Sequence, residues 1–276
     1  MLFRSAIASE HVQQVVSIVD LTLHSIDEER LSEEVVITRS NAELHEVLKR
    51  AQSMSPLLQG LGLTDTNGIV VASAVSPVAS RADLSDRDYF QIHRDDPRTG
   101  LYVGRPVLAR SQNVVSFPVS RRAVLPNGTF AGVVAARVDP KVFSAFFSQV
   151  GVDTVSVLRP DGAFIARFPE VDLVNFAPAP QSLIRSQAQG GGVTTQGIVT
   201  SRSPFDGIER LIAYRVIRPP TLIVVAGMEI DTIRRAWLLR VYPFLGLTFG
   251  GLALIVVVAL LIRRHSRAIA AALAET

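Results

Sequence analysis

Cysteine is absent from all 276 residues, which excludes a disulfide framework and any thiolate metal site and fits either redox compartment. Blocks of Lys and Arg are also missing: the formal charge of +3 is spread along the chain, so a nucleic-acid surface is not expected. There is no Gly-x-Ser-x-Gly elbow, no His-Glu-x-x-His and no kinase signature, and Gly190–Gly192 lacks the Gly-Lys-Ser/Thr end of a phosphate loop. Catalysis and a bound cofactor are therefore not expected of this chain. His93, Asp95 and Asp96 lie close together but lack a second histidine at metal-ligand spacing, and no metal is expected there. Met1–Glu10 contains no apolar core of the kind a secretory signal needs, so an exported domain would require a signal or a first membrane span upstream of this sequence.

One long apolar run stands against these absences. Val241–Ile262 carries no charged side chain over 22 residues and is followed at once by Arg263, Arg264 and Arg267. As a helix such a run crosses a hydrocarbon layer of about 30 Å while satisfying its own backbone hydrogen bonds. Trp237 and Tyr242 fall where aromatic rings favour the headgroup region, and Gly246, Gly250 and Gly251 form a small-residue face on which two helices can approach. Arg234, Arg235 and Arg240 precede the span, so basic residues flank both ends and do not fix its sidedness. The chain is expected to be held in a membrane, with residues 263–276 as a helical tail.

Ahead of the span the hydrophobic period changes twice. Between Ile7 and Arg30, Val12, Val16, Val19, Leu23 and Ile26 recur at spacings of three and four, the stripe of a long helix. Ser40 with Glu43 forms a capping box for a second helix presenting Leu44, Val47, Leu48 and Ala51, ended by Pro56. From Leu57 the pattern becomes short β runs: 57–64 and 69–75 around Asn67-Gly68, whose positive φ angles make a tight turn, then 114–119 and 129–138 around Pro126-Asn127-Gly128, and a short helix at 140–149. The same grammar restarts with strands at 154–158 and 163–167, a helix at 180–189, the Gly190–Gly192 loop, and strands at 193–202, 209–216 and 222–229. Two α+β units in tandem follow, each built on an antiparallel sheet.

The long first helix, the Leu63-Thr64-Asp65-Thr66-Asn67-Gly68-Ile69-Val70-Val71-Ala72-Ser73 hairpin, the segment Ser85-Asp86-Arg87-Asp88-Tyr89-Phe90, the Gly132–Asp139 strand end and the terminal span together resemble the double Cache family, the PAS-like extracytoplasmic sensor domains of bacterial histidine kinases, diguanylate cyclases and chemoreceptors. The resemblance covers about residues 5–267. It implies N-terminal signalling helices at 1–55, a membrane-distal unit at 56–150, a membrane-proximal unit at 151–236, the transmembrane helix at 241–262 and a cytoplasmic tail at 263–276. It also implies a homodimer in the inner membrane with the sensor on the periplasmic side, and any output enzyme lying outside this chain. In amino-acid-binding members an Arg-x-Trp-Tyr segment, similar to Arg87-Asp88-Tyr89-Phe90, holds the ligand carboxylate, and an Asp similar to Asp139 takes the ammonium. Here Tyr and Phe replace Trp and Tyr, and Ala82 stands where those members have a further Tyr, so a simple organic anion is as good an expectation as an amino acid.

The expected ligand contacts are Arg87, Tyr89, Phe90, His93, Tyr102, Arg105, Ser116 and Asp139. Each has a plainer reading. Arg87 can pair with Asp86 or Asp88; of Tyr89 and Phe90 one should face a pocket and the other a core; His93 can be a satisfied structural histidine; Tyr102 and Arg105 follow a loop; Asp139 before Pro140 is a good helix cap. By period-two alternation Ser116, Pro118 and Ser120 share one side of their strand, and Phe117 and Val119 the other. The rival to a ligand sensor is a ligand-free dimerisation or protein-binding scaffold, which would fill its cavity with Phe and Leu and leave Arg87 outside.

Overall fold

The computed structural model describes residues 1–30, 41–108, 114–125, 127–175, 178–179, 196–203 and 205–274. Helix α1 (Leu2–Arg30) comes first, then α2 (Asn41–Ser53). The first sheet, distal only in lying farther along the chain from the apolar run, follows as β1 (Leu58–Thr64), β2 (Val70–Ser73), β3 (Tyr102–Val103), β4 (Val107–Leu108), β5 (Val115–Val124) and β6 (Phe130–Val138), with α3 (Asp88–Asp95) between β2 and β3. After α4 (Lys141–Phe147) comes a proximal sheet of β7 (Thr154–Leu158), β8 (Phe164–Phe168), β9 (Gln196–Arg202), β10 (Glu209–Ile217) and β11 (Leu222–Glu229), and then α5 (Ile230–Ala274). The expected capping residue Ser40, the helix at 180–189, the Gly190–Gly192 loop and the start of the strand at 193 lie outside the described residues.

The first sheet has the order β2-β1-β6-β5-β3 with β4 also on β5, and the second the order β8-β7-β11-β10-β9. Pro118, in the middle of β5, falls between the stretch paired with β3 and the stretch paired with β4, where a missing N–H breaks no ladder bond. The hairpin turn at 65–69 departs from the expected tight Asn-Gly turn. Only Gly68 has positive φ, at 86°, and the Asp65 carboxylate accepts the N–H groups of Asn67 and Ile69, so an aspartate-braced loop replaces a two-residue turn.

α1 is rich in Val, a poor helix former when unsupported, so packing rather than propensity stabilises it. Ala8, Val12, Val16, Val19, Leu23 and Ile26 are buried along one face, and the buried hydroxyls of Ser5 and Ser9 bond back to the carbonyls of Leu2 and Ala6. At 1.5 Å per residue the helix runs about 44 Å, and it touches β5 and β6 of the first sheet as well as β10 of the second. One hydrophobic cluster therefore contains α1, Phe117 and Val119 of β5, Phe143 and Phe147 of α4, and Val155, Val157 and Val224 of the proximal sheet. Successive residues of β11 alternate between this cluster and a smaller one on the far face that includes Leu158, Phe164, Val216 and Ile223. Met1–Met228 forms one compact unit, so the tandem units share a core, and the chain from Glu229 forms a second unit.

α5 is one continuous 45-residue helix that contains Pro243. Its stretch Ile230–Arg264 is long and apolar enough to cross a membrane, and Trp237, Tyr242 and the leucines, isoleucines and valines from Leu245 to Ile262 are exposed. An added Cβ at Gly246, Gly250 or Gly251 would meet nothing within 4 Å.

Candidate ligand-binding cavity

Under the segment that joins β2 to α3 the distal sheet leaves a cavity of about 420 Å³. Its floor is Leu61, Gly62, Leu63 and Thr64 of β1 with Val70 and Ser73 of β2; Val107, Leu108, Ser116, Pro118, Ala135 and Arg137 come from β4, β5 and β6. Val75, Ser76, Val78, Ser80, Ala82 and Leu84 close it from the connecting segment, and Arg87 and Tyr89 enter from the start of α3. The wall is mostly apolar, with a few polar groups that can orient a guest, the usual make-up of a small-molecule site.

Those polar groups cluster. Arg87 occupies the position just before α3, and its guanidinium lies 3.7 Å from the exposed Asp86. Tyr89 is buried, which pushes its phenol up to about 12; the Arg87 guanidinium pulls the other way, the carboxylates of Asp88 and Asp86 add to the rise, and Arg137 opposes it. Arg137 donates to the Gln59 carbonyl at 3.5 Å, and no carboxylate pairs with it among the described residues. Burial lowers its pKa, opposed by Tyr89, but a guanidinium stays charged at any physiological pH. A Cβ at Gly60 would sit 2.5 Å from Arg137 Nη2, so glycine there lets the guanidinium lie against the strand. The Ser116 hydroxyl is fully buried at the cavity wall and has no hydrogen-bond partner among the described residues. An unmet buried hydroxyl costs about 1–3 kcal/mol, a deficit that a polar guest would relieve.

Of the expected contacts, Arg87, Tyr89 and Ser116 reach this cavity; the other five lie elsewhere. Phe90 does not line the cavity; it packs in one cluster with Tyr89 and Val133, at 6.0 Å from the Phe130 ring. His93 is fully buried on the same side of α3, its Nε2 3.0 Å from Ser120 Oγ, its Nδ1 without a partner among the described residues and its carbonyl accepting from Arg122. Burial, opposed by Ser120 and reinforced by Arg122 and Arg121, lowers its pKa to about 4, so the ring is neutral and joins α3 to β5. Asp139 accepts the Lys141 N–H at 2.9 Å and borders a different depression with Ser144 and Glu170. Its carboxylate braces the turn into α4, whose cap position is Pro140.

Tyr102 and Arg105 belong to a polar network below the cavity. Asp88, the first residue of α3, accepts the Tyr102 hydroxyl at 3.1 Å and lies 3.3 Å from Arg159. Arg159, just past β7 and 8% exposed, donates to the Tyr102 oxygen at 2.7 Å, to the Val103 carbonyl and to Asp161. Asp161 in turn holds Arg105 at 2.9 Å. Burial works against the Arg159 charge, but Tyr102 and Asp161 outweigh it and raise its pKa; Asp161 is lowered, burial opposing and Arg159 and the Ala163 N–H prevailing. The network ties the helix that carries Arg87 and Tyr89 to the β7–β8 hairpin of the proximal sheet.

Arg137, Arg159 and the role of Asp88 were not foreseen. Arg137 was accessible in principle: it pairs in register with Pro118, which alternation had already assigned to the Ser116 side. Arg159 sits beside an Asp-Gly turn, and no local pattern announces a partner 57 residues away.

Two antiparallel sheets strung on a long N-terminal helix, with a cavity in the first of them, form a fold that this chain shares with solved extracellular and ligand-binding domains. No family model matches the sequence, and no curated protein matches it. Among solved structures, the extracellular domain of rpHK1S-Z16, described as a histidine kinase, superposes with a TM-score of 0.64 at 24% identity, covering 82% of this chain and 90% of that one. The ligand-binding domain of the Pseudomonas aeruginosa chemoreceptor PctB in complex with L-Arg gives 0.61 at 12% identity over 83% and 93%. That of the Pseudomonas fluorescens chemoreceptor CtaA in complex with L-alanine gives 0.59 at 13% over 82% and 94%.

Proposed function

We propose that this chain is a membrane-anchored extracytoplasmic sensor. It binds a small organic ligand, a carboxylate or an amino acid, in the distal cavity and passes the bound state across the membrane through α5 to a cytoplasmic output. The chain itself acts as an input module, working as a homodimer in the inner membrane with its sheets on the periplasmic side. The observation that carries this reading is the convergence of Arg87, Tyr89 and Ser116 on an open cavity of about 420 Å³. The neighbours of the same fold that bind amino acids support it, and the apolar surface of α5 supports the anchor. An open cavity with an arginine in its wall favours a sensor over a ligand-free scaffold, which would fill that space with side chains.

The test is a thermal-shift screen of the full chain in detergent micelles against amino acids and small carboxylates, repeated with Arg87→Ala. A ligand at about 100 times its dissociation constant adds roughly 2.7 kcal/mol to stability. Arg87→Ala should remove about 2 kcal/mol of binding while leaving the unliganded melting temperature within a few degrees. A folded protein that no compound stabilises would favour the scaffold.

A further inference from the structure

An α-amino acid presents two opposite charges to its site, and the site must answer both. Desolvating an ammonium without an acceptor of opposite charge is costly, so a cavity that takes amino acids needs a carboxylate, or a dense set of carbonyls, beside its guanidinium. Among the described residues the cavity wall has two guanidiniums, Arg87 and Arg137, and no Asp or Glu; Asp86, 3.7 Å from Arg87, is exposed to solvent and does not line it. Segment 109–113, between β4 and β5, contains no Asp or Glu either. Asp139, the residue that the family resemblance offers for an ammonium, is held at the start of α4, and Asp88 is committed to Tyr102 and Arg159. Among the described residues the remaining polar side chains are hydroxyls, and the one most deeply buried, on Ser116, has no partner.

We infer that the distal cavity selects a carboxylic acid that carries no ammonium group, its carboxylate held at the Arg87–Arg137–Tyr89 cluster with Ser116 as a further donor and its apolar body against Leu61, Leu63 and Val70. This rests on the sensor reading and narrows it. Arg137 acts here as the specificity residue: a second guanidinium adds to the attraction for the carboxylate and repels an ammonium carried on the adjacent carbon.

Isothermal titration of the full chain in micelles with matched pairs decides the matter: propionate with alanine, isovalerate with valine, isocaproate with leucine, hydrocinnamate with phenylalanine, and succinate with aspartate. At least one acid should bind, and its amino counterpart should bind tenfold or more weakly. Arg137→Gln, which keeps a donor for the Gln59 carbonyl, should weaken the acid by roughly ten- to a hundredfold and narrow the gap between the pair. If that variant fails to fold, the paired comparison on the unaltered chain still decides. An amino acid that binds as tightly as its matched acid overturns the inference and leaves the sensor standing. Silence from both members of every pair overturns the inference and the sensor reading together.

Discussion

Burial holds His93 at about 4 against an ordinary 6.5, and that difference sets a pH dependence. Between these values the unfolded chain binds a proton that the folded one refuses, so stability is full above pH 6.5 and falls on acidification towards pH 4. The loss amounts to about 3 kcal/mol. The groups around the ring are Ser120, Tyr102, Arg121 and Arg122, and the two arginines add to the resistance against protonation. Melting temperature followed from pH 7 to 5 should decline, and His93→Gln should flatten that decline; an unchanged slope in the variant would assign the acid sensitivity to other groups. At this scale three of the eight expected contacts fall at the cavity. Arg87, Tyr89 and Ser116 could be read because a strand alternates and a helix start has a recognisable sequence. Tyr102 and Arg105 lie off the cavity because their partners Asp88, Arg159 and Asp161 come from the surroundings of two different sheets, and proximity across sheets leaves no mark on local spacing.

α3 is the element on which most of the candidate chemistry hangs. Its first residue, Asp88, favours the helix dipole and anchors Tyr102 and Arg159, while Arg87 and Tyr89 on either side face the cavity. Arg159→Ala would leave Asp88 and Asp161 without their shared cation and the Val103 carbonyl without a donor. A loss of about 3 kcal/mol is expected, read as a lower denaturant midpoint with an unchanged slope. Arg159→Lys should recover only part of it, since one ammonium cannot serve Tyr102, Val103 and Asp161 from a planar fork. Strand pairs were the easiest elements to foresee, since Gly68 and Gly128 mark their turns. β3 and β4, of two residues each, have no period to detect, and their presence follows only from pairing with β5.

Across the whole molecule, the shared core around α1 decides how the two sheets behave. The tandem grammar implied two units side by side; the helix that crosses both was legible as a helix, but its double contact was not, because a stripe of apolar residues does not say what covers it. Leu23→Ala, at a fully buried position of α1, should cost about 3 kcal/mol. Because one cluster spans both sheets, hydrogen exchange should report that cost in the amides of β5 and β6 and equally in those of β10 and β11. A cost confined to one sheet would show that the two open separately. Deleting the chain from Ile230 onward should move the protein from the membrane fraction to the soluble one, as checked by carbonate extraction of cells expressing each form. α1 also sets a rule for anyone transplanting this recognition surface: the distal sheet is not a cassette that can be excised at residues 56 and 150. A working chimera must carry the helix with it, and with the helix whatever sheet is asked to stand in for the proximal one.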